Sequence, residues 1–209
     1  MGIKLKENAR IVFQGDSITD AGRDREKDSS MGAGYVFMLT AMLAAKYPDK
    51  NPSFINRGMG GDTVQTLHER WERDCLVFKP DIVSILIGIN DTWKRFSENL
   101  DPGAASFEAM YREMLTGAQE QSSAQLVIIE PFLLTNRENY MEWRNDLNSK
   151  IDVIRGLAAE FHAYYVPMDG IMAQACTKAD AAYWSTDGVH LTSAGHALLA
   201  QSWLSAVGL

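Results

Sequence analysis

Four short blocks of this chain hold side chains with chemistry to offer. The first is Gly15-Asp16-Ser17-Ile18-Thr19-Asp20. It follows the apolar run Ile11-Val12-Phe13, so Ser17 falls where a strand ends and the backbone turns. A hydroxyl presented at the edge of a sheet is placed as a nucleophile needs to be. Taken alone, the block reads more simply as a Ser/Asp helix cap. The second block is Asp187-Gly188-Val189-His190, just ahead of the last helical pattern. That spacing across a turn lets the carboxylate hold one ring nitrogen in the N–H form. The other nitrogen is then free to accept a hydroxyl proton. Taken alone, a capping Asp and a surface His account for it. The third block, Gly88-Ile89-Asn90-Asp91, follows the most buried-looking strand, where the Asn90 amide is a neutral N–H donor. The fourth, Gly58-Met59-Gly60-Gly61-Asp62, lets backbone N–H groups come close to a ligand. Donors of these two kinds stabilise the oxyanion of acyl transfer. An Asx-turn at Asn90 and a tight turn at the glycines are the plainer readings of each alone.

The elements that must position these blocks alternate along the chain. Apolar runs at Arg10–Gln14, Ser53–Asn56, Asp81–Ile87, Gln125–Glu130 and Ala163–Val166 read as strands. The Asp81–Ile87 run is unbroken and rich in Ile and Val, the pattern of a central parallel strand covered on both faces. Helical patterns fill the gaps. Gly34–Lys46 reads as a mostly buried helix and Thr63–Asp74 as helical. Phe107, Met110, Tyr111, Met114 and Leu115 share one helical face. Tyr140, Arg144, Leu147, Ile151, Ile154 and Ala158 mark another helix, and Met168–Lys178 and Ser193–Val207 close the chain. No repeat, linker or low-complexity tract interrupts the series, so residues 1–209 read as a single domain. The fold class is α/β: a three-layer, doubly wound, five-stranded, mainly parallel sheet with helices on both faces. Sites in such sheets form at the carboxyl ends of strands, where these blocks lie.

Composition narrows the functions. The chain has 209 residues, 46% hydrophobic and 22% charged, with a net charge of −7 from 20 basic and 27 acidic side chains. That balance, without a Lys/Arg-rich run, argues against a nucleic-acid partner. The longest apolar stretch, around Tyr35 to Ala45, is too short to span a bilayer. The N-terminal residues lack the apolar core of a signal peptide, so a cytoplasmic setting without a membrane partner is expected. Cys75 and Cys176 make no disulfide framework or zinc spacing, and both read as buried thiols. No cofactor or metal is expected.

The four blocks occur together and in a fixed order. This arrangement resembles the SGNH hydrolases, also called GDSL esterases, whose name lists the Ser, Gly, Asn and His of the blocks. The resemblance runs from about Val12 to His196. It implies a flavodoxin-like sheet and a serine esterase without a cofactor. It implies Ser17 as nucleophile, His190 as base and Asp187 as the residue orienting that base. Gly61, Asn90 and the Ser17 N–H resemble the oxyanion hole, with Gly60 an alternative backbone donor. Gly61 is preferred because Asn56-Arg57-Gly58-Met59-Gly60-Gly61-Asp62-Thr63 matches the family's Asn-Arg-Gly-x-x-Gly-Asp-Thr pattern. Gly15 to Arg23, Gly34-Tyr35-Val36 and Gly88 to Trp93 further resemble the cytoplasmic acetylxylan esterase branch, whose members deacetylate xylo-oligosaccharides. The implied partner is a small-molecule or oligosaccharide ester, with homo-oligomers as a further possibility in that branch.

Trp93 and Trp184 are candidates to line the acyl or sugar pocket, with plain packing as the other reading. Asp16, Asp20 and Asp62 are expected to fix turns by accepting backbone N–H bonds. Glu69, Arg70, Glu72 and Arg73 read as a solvated helix face. His68 reads as a surface residue, and His162 as packed or capping at the start of the fifth strand. His196 reads as lying off the site, and residues 96–102 as a loop. Three other functions compete: a metal-dependent phosphoesterase, a non-catalytic carbohydrate-binding module, and an esterase acting on thioesters or lysophospholipids. The first wants several well-placed histidines, and this chain has four in all. The second has no use for an activated serine. The third wants a lid for lipid, and no long apolar insertion is present.

Overall fold

The computed structural model describes residues 2–100, 103–134 and 140–209. The strands are β1 (Arg10–Gly15), β2 (Ser53–Asn56), β3 (Ile82–Leu86), β4 (Gln125–Ile129) and β5 (Tyr164–Val166). They form one five-stranded sheet in the order β2-β1-β3-β4-β5. Every neighbouring pair is parallel, with Ile11 opposite Ile82 and Leu86 opposite Ile129.

The helices are α1 (Ser17–Asp20), α2 (Tyr35–Lys46), α3 (Val64–Glu69), α4 (Trp71–Asp74), α5 (Ile89–Glu98), α6 (Gly103–Ser122), α7 (Tyr140–Glu160), α8 (Met168–Ala175), α9 (Ala181–Trp184) and α10 (Ser193–Val207). Strand side chains alternate between two cores, as the pleat requires. Ile11, Phe13, Leu86 and Val127 meet Leu39 of α2 and Leu199 and Trp203 of α10. Val12, Val83, Ile85 and Ile128 meet Leu67 of α3, Trp71 of α4 and Phe107 and Tyr111 of α6. Helix α7 serves both cores, Leu147 and Ile151 joining the first and Ile154 and Leu157 the second. All five β3 residues are buried, as their composition predicts. Ser84, polar in that setting, accepts the Trp203 indole N–H at 3.0 Å, which ties α10 to the middle of the sheet.

Several expectations need correction. Helix α2 is one-sided rather than mostly buried: Val36, Leu39 and Leu43 face the sheet while Phe37 and Met42 are exposed. The pattern over 63–74 breaks at Arg70 into α3 and α4. Arg70 is not solvated but 6% exposed, its guanidinium turned inward. Phe96, expected in a loop, belongs to α5, while residues 101 and 102 lie outside the described residues. The Tyr140 side chain, placed on the α7 face by its spacing, also lies outside them. His162 sits exposed in a left-handed turn (φ 51°) ahead of β5 rather than packed in it. Cys75 is buried, but Cys176 at the end of α8 is only partly so. Among the described residues no helix is long and apolar enough to cross a membrane.

Candidate active site

The chain leaves β1 toward β2 on one side and reaches β3 on the other, so the strand order reverses between β1 and β3. A crevice opens at that switch point, outside the carboxyl ends of the strands. Ser17 follows β1 and Asn90 follows β3, so the two flank it.

Ser17 begins α1. Asp16 caps that helix, its Oδ1 accepting the Ile18 N–H at 2.9 Å. The cap leaves the Ser17 N–H uncommitted, as is usual for the first residues of a helix. Asp16 is fully buried, and burial pushes its carboxyl up to about 7, against the pull of the Ile18 N–H and nearby His190. Asp20, at the other end of α1, accepts the Arg23 N–H at 3.1 Å through Oδ1. Its Oδ2 accepts the Gly60 N–H at 3.1 Å and an Arg25 N–H at 2.5 Å.

The glycine loop after β2 lies against α1. A Cβ on Gly58 would come within 2.2 Å of the Asp20 backbone nitrogen, so only glycine lets the two segments meet. Because Asp20 takes the Gly60 N–H, Gly61 is the better placed of the two as a free donor. Among the described residues the Gly61 N–H has no protein acceptor. Gly61 has φ 86°, a left-handed conformation that favours glycine. Asn90, in the first turn of α5, donates one amide N–H to the Asp62 carbonyl at 3.0 Å and keeps the second.

Asp62 behaves differently from its neighbours. Its carboxylate does not bond the loop backbone. It accepts from Arg70 Nε at 2.7 Å and from Thr66 Oγ1 at 3.0 Å. Arg70 also donates to Gln14 Oε1 at 2.9 Å, linking the glycine loop to β1.

His190 arrives on the turn between α9 and α10. Ser185 and Leu191 form a short antiparallel bridge that closes this turn. Ser185 Oγ donates to the His190 carbonyl at 2.8 Å and accepts the Gly188 N–H at 2.9 Å. His190 Nε2 lies 3.1 Å from Ser17 Oγ, and His190 Nδ1 lies 2.7 Å from Asp187 Oδ2. Asp187 Oδ1 accepts the backbone N–H groups of His190 and Val189 at 2.7 and 2.9 Å. Partial burial pushes the Asp187 carboxyl up. The bonds from the His190 ring and these two N–H groups outweigh it and hold the group below its usual range.

The Trp93 ring lies 6.5 Å from the His190 ring, centroid to centroid, and 5.2 Å from Trp143. Trp143 in turn stacks on Phe96 at 5.8 Å. Trp143 carries no motif and comes from a distant helix, so nothing in the sequence marks it as a neighbour of Trp93. The Trp184 indole N–H donates to the Ala179 carbonyl at 3.2 Å and its ring abuts Tyr183. His196 accepts the Tyr35 N–H at 3.1 Å, and burial lowers its pKa to about 4. It serves α2 rather than Ser17. His68 pairs with Glu113 at 2.8 Å on the far side of the sheet. Among the described residues, no three His, Cys, Asp or Glu side chains are grouped to hold a metal ion.

The model of the GDSL-like lipase/acylhydrolase family matches residues 13–198. The chain belongs to that family. An acetylxylan esterase of Geobacillus stearothermophilus is 31% identical over 214 residues, covering 99% of this chain and 97% of the relative. The crystal structure of an acetylxylan esterase from the same organism superposes with a TM-score of 0.91 at 29% identity, over 99% of this chain and 97% of that one. A structure assigned as a GDSL-like lipase from Parabacteroides merdae superposes with a TM-score of 0.95 at 36% identity, over 100% and 99% of the two chains. This GDSL protein is a carboxylic ester hydrolase.

Proposed function

We propose that this esterase removes acetyl groups from carbohydrate, with acetylated xylo-oligosaccharides as the substrate class, through Ser17, His190 and Asp187. The observation that carries the proposal is the continuous contact from Ser17 Oγ through the imidazole to Asp187, at 3.1 and 2.7 Å. Asp187 keeps the proton on Nδ1, so Nε2 is the base. It takes the Ser17 hydroxyl proton as Oγ bonds to the ester carbonyl carbon. The oxyanion is received by the N–H groups of Ser17 and Gly61 and by the free amide N–H of Asn90. His190 then gives its proton to the departing sugar oxygen, and the C–O bond to the sugar breaks. Water loses a proton to the same nitrogen, attacks the acyl carbon and releases acetate, and the proton returns to Ser17.

Support for a sugar ester comes from the likeness to acetylxylan esterases and from the Trp93 ring beside His190. Indole faces suit the C–H surfaces of sugars, and the leaving alcohol departs on the His190 side. The proposed setting is the cytoplasm, in keeping with two free thiols. A substrate panel tests the reading, with Ser17→Ala as the control. Acetylated xylo-oligosaccharides are expected to be turned over faster than octanoyl esters, acyl thioesters or lysophospholipids. A clear preference for any of those three would overturn the carbohydrate assignment while leaving the esterase in place.

A further inference from the structure

Asn90 and Asp91 are neighbours in the first turn of α5, and both side chains end on the same loop. Asn90 holds the Asp62 carbonyl at 3.0 Å. The Asp91 carboxyl accepts the Val64 N–H, with its oxygens at 3.2 and 3.1 Å. Between these points lie Asp62, Thr63 and Val64, the three residues that follow Gly61. Thr63 caps α3 through Thr66, so it does not serve the Val64 N–H, which is left for Asp91. Asp62 is held from the other side by Arg70 and Thr66.

Asp91 is 1% exposed, and none of its hydrogen bonds reaches Ser17 or His190. Burying a carboxyl is costly unless its bonds repay it, and here both oxygens are directed at a single N–H. We propose that Asp91 is a positioning residue for the reaction: by pinning Val64 it fixes where the Gly61 N–H stands relative to the Asn90 amide. This rests on the reading of Gly61 and Asn90 as the oxyanion donors. Such donors must stand about 2.7–3.1 Å from the oxyanion, and a misplacement of about 1 Å can cost about a hundredfold in rate. A loop whose end is loose cannot hold that tolerance.

The test compares Asp91→Ala, Asp91→Asn and Val64→Pro with Asn90→Ala, all assayed on an acetyl ester and with a boronic acid that mimics the tetrahedral oxyanion. Val64→Pro removes the donor instead of the acceptor. Proline suits the first position of a helix, and Thr63 before it is already extended (φ −100°, ψ 173°). Asp91→Ala and Val64→Pro are each expected to lose about tenfold to a hundredfold in kcat, with KM within about twofold. The boronic acid should weaken in step with kcat. Asp91→Asn keeps a carbonyl oxygen for Val64 and should recover most of the rate. If Asp91→Ala is too unstable to assay, Val64→Pro and Asp91→Asn still decide the matter. Unchanged kcat in Val64→Pro, or a pure KM effect, overturns the positioning role. If Asn90→Ala also keeps full kcat, the oxyanion assignment itself has failed; if only Asn90→Ala is slow, the fault lies with Asp91 alone.

Discussion

Asn90 has two amide N–H bonds and spends one on the Asp62 carbonyl, so the residue is at once a strut and a donor. Removing the amide takes both away. Losing one oxyanion donor costs about 3 kcal/mol of transition-state stabilisation in serine hydrolases. Asn90→Ala is therefore expected to lose roughly a hundredfold to two-hundredfold in kcat with little change in KM, as measured by steady-state kinetics on an acetyl ester. Ser17→Ala should lose more, because it removes the covalent route. The carboxyls nearby make a separate prediction about pH. Burial pushes Asp16 and Asp91 from 3.8 up to about 7, against the pull of the Ile18 and Val64 N–H groups. Their folded pKa values exceed the unfolded ones, so the folded state holds these protons more tightly. Their contribution to stability is full below about pH 4 and is lost as pH rises through about 7. Each is on the order of a few kcal/mol at most. Asp187 works in the opposite sense: its pKa is lowered, so its contribution is lost as pH falls below the ordinary carboxylate range. Urea unfolding between pH 4 and 7 should show a shallower fall in stability for Asp16→Asn than for the parent. Equal slopes would refute the buried-proton assignment.

At the scale of elements, the break between α3 and α4 is where local pattern and tertiary demand part company. Residues 63–74 read as helical, and Arg70 among Glu69, Glu72 and Arg73 looks like part of a charged outer face. The fold instead turns Arg70 inward to Asp62, Gln14 and the Gly15 carbonyl. That partner set comes from two separate segments, the end of β1 and the glycine loop after β2, which periodicity cannot see. Removing one partner of a buried ion pair leaves an uncompensated charge, at a cost of about 3–5 kcal/mol. Arg70→Met should lower the urea unfolding free energy by about that amount; a midpoint equal to the parent's would contradict the buried-pair reading. Helix α5 went unread for a related reason. Its first residues, Ile89-Asn90-Asp91, continue an apolar strand and carry a motif, and both features draw attention from the helix they begin.

For the whole molecule, the strands were legible because each is a compact apolar run, and the five predicted segments match the observed ones to within a residue or two at their ends. Sheet order was not legible from any one run. The 3.1 Å contact between Ser17 and His190 joins residues 173 positions apart, so only the topology brings them together. The motif blocks pointed to the same residues because each block sits at a strand end or in a turn that the fold gathers at the switch point. Trp143 beside Trp93, Ser185 bracing the His190 turn and Arg70 behind Asp62 carried no such signal. Their roles are contacts between distant segments rather than local patterns. The central claim is that this gathering makes Ser17 a nucleophile. Treatment with a fluorophosphonate, followed by peptide mass spectrometry, tests it most directly. The account predicts one equivalent of adduct on Ser17, loss of acetyl esterase activity in proportion, and slow labelling in His190→Ala. Full inactivation with the adduct on another residue, while Ser17 stays unmodified, would contradict it.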